Sequence, residues 1–128
     1  MENLGLRRTV DASFGEVVDR VTEALKKEGF GVLTDIDVEA TLRSKLGVEF
    51  GPYRILGACN PPLAHRALQA EPSIGLMLPC NVVIRPVEGG VEVSMFDPFS
   101  FAAESSSETI REVASEAGQR LRRALDAV

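Results

Sequence analysis

Two cysteines, each followed by an asparagine, are the residues of this chain with the clearest chemical potential. Cys59-Asn60 and Cys80-Asn81 contain both cysteines and two of the three asparagines in the sequence. Each pair adjoins an apolar run of strand length, and strand ends commonly meet at one rim of a sheet, where α/β proteins place their sites. Asp97 ends another predicted strand. The sequence therefore predicts a ligand-binding rim formed by Cys59, Asn60, Cys80, Asn81 and Asp97.

Each of these residues also has an ordinary structural explanation. Asn60 followed by Pro61 is typical of a helix start, with asparagine as the N-cap and proline at the first helical position. Asn81 can cap a turn before a strand, and Asp97-Pro98 can end a strand with a turn. Cysteine is often buried as a small apolar side chain. Taken singly, each residue is better explained by structure, and only the repeated Cys-Asn pair favours a site.

Small-ligand binding is the preferred interpretation of this rim, and thiol chemistry is the alternative. The helix predicted to begin at Asn60 offers backbone N–H groups and the positive end of its dipole, which favour an anionic group. Pro61 removes one of those donors. A cysteine just before a helix can have a lowered pKa, so Cys59, with Cys80, could act as a redox or catalytic thiol. The chain has no Cys-x-x-Cys motif to support that alternative.

Metal binding is a third interpretation, with weaker support. Two thiolates together with His65 and Asp97 would make a plausible set of zinc ligands. However, His65 falls on the side of its predicted helix opposite to Leu63 and Leu68, so a solvated histidine is the better explanation. No Gly-x-Ser-x-Gly, His-Glu-x-x-His or dinucleotide-binding motif is present. The sequence therefore predicts no cofactor and leaves open whether the protein is an enzyme.

The hydrophobic pattern predicts a single α+β domain over residues 1–128, with elements in the order βαβαβαββα. Three strand–helix alternations indicate some parallel pairing, and a hairpin about residues 88–90 supplies antiparallel edges. We therefore expect a mixed sheet of about five strands packed with helices. Ser13-x-x-Glu16 and Ser105-x-x-Glu108 predict the starts of the first and last helices, and Asp37 predicts another start. The predicted strands are 3–10, 30–36, 53–59, 80–87 and 91–97.

Composition and charge restrict the class of protein. Of the 128 residues, 45% are hydrophobic and 26% are charged, which is typical of a globular protein. The net charge of −5 argues against nucleic acid as a main partner. No export signal and no apolar run near the ~20 residues of a membrane span are visible, so we expect a cytoplasmic protein without a membrane partner. Scarce asparagine and glutamine are typical of a heat-adapted source.

Two apolar stretches predict a protein partner. Residues 74–78 and the aromatic cluster Phe96, Phe99 and Phe101 fall in or near predicted loops. Exposed apolar patches of that kind usually mark an interaction surface. The expected partner is a second copy of the chain, in a symmetric homodimer that buries some of these residues.

The motifs around the two Cys-Asn pairs resemble the signature of the domain of unknown function 302 family. They are the segment 55–64, the segment 78–82 and the Asp97-Pro98 dipeptide. The resemblance covers about residues 9–103. It implies a compact α+β domain that forms a homodimer, in a family without an established activity. It therefore supports the predicted fold and supplies no catalytic residue.

Overall fold

The computed structural model describes residues 5–128, apart from the side chain of Phe101. The first strand is thus seen from Gly5, and residues 3 and 4 of the predicted strand lie outside the described range. In chain order the elements are β1 (Gly5–Val10), α1 (Phe14–Lys27), β2 (Gly31–Asp37), α2 (Val38–Leu46), β3 (Arg54–Cys59), α3 (Pro61–Ala70), a 3₁₀ segment (Pro72–Met77), β4 (Cys80–Val87), β5 (Gly90–Phe96), α4 (Phe99–Ala102) and α5 (Glu108–Asp126). The α+β class and the predicted order are confirmed, apart from the 3₁₀ segment and the short helix α4, which the sequence did not predict.

The five strands form one sheet in the order β1-β5-β4-β3-β2, and all four pairings are antiparallel. The predicted parallel pairing is therefore wrong. A helix that connects parallel strands carries the chain back to the opposite end of the sheet. Here α3 is followed by the 3₁₀ segment, which returns the chain to the end that β3 has just left. Cys80 of β4 consequently pairs with Ala58 of β3.

Side-chain caps begin the helices as local sequence rules require. The Glu16 N–H donates to Ser13 Oγ at 3.4 Å, and the Ala40 N–H donates to Asp37 Oδ1 at 2.9 Å. The last helix differs from the prediction, because its N-cap is Ser107 and not Ser105. The hydroxyl of Ser105 instead accepts a hydrogen bond from the Ser107 N–H at 3.1 Å.

The core lies between one face of the sheet and a layer formed by α1, α3 and α5. Alternation along β4 shows the division clearly: Val82 and Ile84 are fully buried on the helix side, whereas Asn81 and Arg85 are exposed on the opposite, open face. Leu68, predicted on the buried side of α3, is 41% exposed. None of the helices within residues 5–128 is long and apolar enough to cross a membrane.

Candidate functional site

Both cysteines lie at one apolar pocket between the end of the sheet and the helices. Cys59 is the last residue of β3, and Cys80 is the first residue of β4. Because β3 and β4 are antiparallel, the end of one strand adjoins the start of the other, which confirms that these two strand ends meet. The volume of this pocket is about 50 Å³. We call this the cysteine pocket. Cys59, Asn60 and Cys80 line one part of it. The rest of the lining is apolar and includes Phe30, Ala58, Leu63, Ala67, Ile74, Met77, Ile110, Val113, Ala114 and Ala117.

Asn60 is buried and its amide serves the fold. Its Oδ1 accepts the Leu63 N–H at 3.3 Å, which confirms it as the N-cap of α3. Its Nδ2 donates to the backbone carbonyl of Glu28 at 3.5 Å, and Arg120 Nη1 donates to the same oxygen at 3.2 Å. Asn60 thereby joins the start of α3 to the end of α1, beside α5.

The start of α3 has no backbone donor left for an anion. Pro61 and Pro62 occupy the first two helical positions and have no N–H. The Leu63 N–H is bound by the Asn60 side chain, and the Ala64 N–H donates to the Asn60 carbonyl. The anionic ligand that the sequence favoured therefore finds no free N–H at this helix end.

Both thiols are free, and burial makes them weak acids. Burial raises the pKa of Cys59 above its usual value. It raises the pKa of Cys80 to about 11, and the nearby Cys59 contributes to that rise. The lowered pKa expected for Cys59 is therefore wrong, because the apolar surroundings outweigh the helix end. At neutral pH both groups are thiols, whereas nucleophilic or redox chemistry needs the thiolate.

The other two predicted site residues lie outside the pocket. Side chains alternate along a strand, so Asn81 points to the open face of the sheet while Cys80 points to the helix side. Asp97 follows β5, where its Oδ1 accepts the Phe99 N–H at 3.0 Å and holds the turn into α4. Its neighbour Pro98 does line the pocket. The structure thus brings Cys59, Asn60 and Cys80 together and separates Asn81 and Asp97 from them.

The proposed zinc set does not assemble. Among the residues that the structure describes, no three histidine, cysteine or acidic side chains lie close enough to share a metal ion. His65 is exposed on α3, as its helical position predicts.

Small residues on facing helices are a part of the pocket that the sequence reasoning missed. Ala64 and Ala67 of α3 face Ala114 and Ala117 of α5 across the pocket. Each pair is three positions apart and therefore shares one helix face. Alanines at this spacing in both helices were the available signal, because small side chains leave room between helices.

Comparison with known proteins gives the family and no activity. The family model described as "Domain of unknown function DUF302" matches residues 6–128, a longer stretch than the motifs alone indicated. A solved structure, the crystal structure of an uncharacterized conserved DUF302 protein from Bacillus stearothermophilus, is 32% identical in sequence with a TM-score of 0.88. The alignment covers 98% of each chain. No curated protein gives a significant match. The chain therefore belongs to the DUF302 family of domains of unknown function.

Proposed function

We propose that this protein is a binding module that takes up a small apolar molecule, or the apolar end of a larger one, in the cysteine pocket. The observation that carries the proposal is the open space of about 50 Å³ among apolar side chains and two uncharged thiols. Pockets for drug-sized ligands have volumes of roughly 300–1,000 Å³, so this pocket fits only a small group. Its single buried amide, that of Asn60, already has partners within the chain.

A neighbouring groove supports a ligand longer than the pocket itself. Met77 and Leu78 line both the cysteine pocket and a groove of about 200 Å³. The groove is also lined by Leu76, Pro79 and Asn81. A ligand could therefore place its apolar end in the pocket and lie along the groove, where the Asn81 amide offers a polar contact.

The test is a titration of the ¹⁵N-labelled protein with 1-hexanol, followed by amide chemical shifts. We expect saturable shifts around Cys59, Cys80 and Ala117. Ala114→Leu fills the pocket from α5 and should abolish these shifts, whereas Ala40→Leu, on the exposed side of α2, should keep them. Circular dichroism establishes that both variants are folded. Equal binding by Ala114→Leu, or no saturable shift in the unmodified protein, contradicts the proposal.

We further propose that two copies form a homodimer, through a surface other than the predicted patches. Ile74 in the first patch is buried within its own chain, at 8% exposure. By contrast, α2 contains no buried residue at all, although a nine-residue helix in water is not stable alone. Five apolar side chains of β2, of α2 and of the segment that follows α2 are 44–68% exposed. We call them the β2–α2 surface: Leu33, Ile36, Leu46, Val48 and Phe50.

Charge and strand position favour a second copy as the partner of this surface. Most of the nearby charges balance one another: Arg43 pairs with Glu49 and Arg54 with Asp35, and residues 35–54 hold four acidic and three basic side chains, a net charge of −1. The surface therefore contributes little to the net charge of −5 that would make two copies repel each other. In addition, β2 is an edge strand, and an edge can pair with the same edge of another copy about a two-fold axis.

Native mass spectrometry and light scattering test the dimer. We expect a dimer for the unmodified protein and a monomer for Phe50→Glu, because a buried unpaired carboxylate is costly. Leu76→Glu is the matched control, since Leu76 is 90% exposed in the other patch. If the Leu76→Glu variant is a monomer and the Phe50→Glu variant remains a dimer, the interface lies at residues 74–78 instead. A strictly monomeric unmodified protein contradicts the dimer altogether.

A further inference from the structure

The open face of the sheet carries a second groove, larger than the cysteine pocket. Its volume is about 290 Å³. Strand register places its side chains in rows: Arg7 of β1 pairs with Ser94 of β5, which pairs with Val83 of β4. In the adjacent row, Glu92 of β5 pairs with Arg85 of β4. The remaining lining is Gly5, Tyr53, Asn81, Met95 and Phe96.

The groove is locally positive in a chain that is negative overall. It contains two guanidinium groups, Arg7 and Arg85, and one carboxylate, Glu92, whereas the chain as a whole carries −5. Both arginines also serve the protein itself. Arg85 is paired with Glu92 at 3.3 Å, and Arg7 has a further interaction within the chain. A guanidinium group has five N–H donors, so the pairing with Glu92 leaves donors on Arg85 for an anion, and Arg7 adds its positive charge.

The floor and sides of the groove define the rest of a ligand. Val83 and Phe96 are half-buried and give an apolar floor beside Ser94, which lies between the strands that carry the two arginines. The hydroxyls of Tyr53 and Ser94 and the amide of Asn81 add neutral hydrogen-bonding groups. A flat apolar body can lie on this floor, and arginine geometry suits a planar carboxylate.

We propose that the groove binds a small organic carboxylate with a flat apolar body, its carboxylate held by Arg7 and Arg85 near Ser94 and its body lying on Val83 and Phe96. The site is separate from the cysteine pocket, because alternation along β4 sends Cys80 and Val82 to the helix side and Asn81 and Val83 to this face. Asn81 lines both this groove and the groove beside Met77 and Leu78, so the two proposals are distinguished by amides that belong to one site alone: those of Cys59 and Ala117 for 1-hexanol, and those of Val83 and Ser94 for benzoate.

Benzoate and benzamide are the matched probes, because they share shape and differ in charge. In a titration of the ¹⁵N-labelled protein, benzoate should shift the amides of Arg7, Val83 and Ser94 saturably, and benzamide should not. Arg85→Gln and Arg7→Gln should each weaken benzoate about tenfold, the effect of one charge-assisted hydrogen bond. Arg122→Gln removes the same charge from an exposed position on α5 and should change nothing.

Glu92→Gln should change the affinity for benzoate in the opposite direction from the arginine substitutions. It removes the one carboxylate of the groove and releases Arg85, so benzoate should bind several-fold more tightly. This variant keeps the side-chain size and tests charge without removing an arginine. Equal shifts by benzoate and benzamide, or benzoate binding that survives both arginine substitutions, would overturn the proposal.

Discussion

The thiol of Cys80 shows how burial alone sets the chemistry of a side chain. Its pKa rises from 9.0 to about 11, because burial disfavours the thiolate and Cys59 lies nearby. The folded state therefore holds this proton more tightly than the unfolded chain. That contribution to stability is complete below about pH 9 and is lost as the pH rises toward 11. We expect it to be on the order of 2 kcal/mol.

Urea unfolding at a series of pH values measures this loss. The free energy of unfolding of the unmodified protein should fall more steeply with pH than that of Cys80→Ala, which lacks the group. Because the two proteins share every other ionisable group, the difference between their pH profiles isolates this thiol. Parallel pH profiles for the two proteins contradict a raised pKa at this thiol.

The two asparagines of the repeated Cys-Asn pair are expected to differ in their effect on stability. Asn60 is buried, caps α3 and donates to the Glu28 carbonyl, so Asn60→Ala should lower the free energy of unfolding by about 1–2 kcal/mol. Asn81 is exposed on the open face, so Asn81→Ala should cost less than about 0.5 kcal/mol. Thermal or urea unfolding of both variants checks this difference. Equal losses contradict the division of roles.

The same pair shows which part of the site could be predicted from sequence. The adjacency of the strand ends followed from the apolar runs beside Cys59 and Cys80. The predicted strand 80–87 already contained both Cys80 and Asn81, and side-chain alternation along it separates them, so the rim prediction was wrong to place both in one site. The thiol pKa could not be predicted, because it depends on side chains from α5 and the 3₁₀ segment that are distant in sequence.

At the scale of elements, one arginine joins the first strand to the last helix. Nη1 of Arg8 lies within hydrogen-bond distance of three carbonyl oxygens, those of Leu125, Asp126 and Val128, at 3.0, 2.8 and 3.0 Å. Carbonyl groups in the last turn of a helix lack the usual donor four residues on, and a cation there also complements the helix dipole. Arg8 thus fastens the end of α5 to the edge strand β1.

Arg8→Ala should lower the free energy of unfolding by about 1.5 kcal/mol, the value of hydrogen bonds from a charged donor. Arg122→Ala, which removes an exposed arginine from α5, should change it by less than about 0.5 kcal/mol. Urea unfolding of both variants measures the difference. A loss shared equally by the two variants would show that general charge, and not this contact, is responsible.

The start of a helix can be predicted from sequence more reliably than the direction in which two strands pair. The caps at Ser13, Asp37 and Asn60 were predictable because each is a hydrogen bond within three residues. The cap of α5 was misplaced by two residues because Ser105 and Ser107 compete in one serine-rich segment. Strand direction was not predictable, because it depends on whether the 3₁₀ segment returns the chain, which is a matter of tertiary packing.

At the scale of the whole molecule, packing is uneven between the two ends of the sheet. The helices α1, α3 and α5 share one core, with Leu25, Leu56 and Leu121 among its fully buried residues. The α2 region has no comparable support within the chain. If a second copy covers it, the stability of α2 belongs to the dimer, and stability overall rises with protein concentration.

Hydrogen exchange measured by mass spectrometry can separate the two contributions. In the unmodified protein at concentrations that maintain the dimer, we expect slow exchange for the amides of both α2 and α5. In monomeric Phe50→Glu, the α2 amides should exchange much faster, because a short helix without buried contacts opens locally at little cost. The α5 amides should keep their protection, since the core that α5 covers is complete within one chain. Protection of α2 that is the same in dimer and monomer would mean that this helix is stable on its own chain and that its exposed face needs no partner.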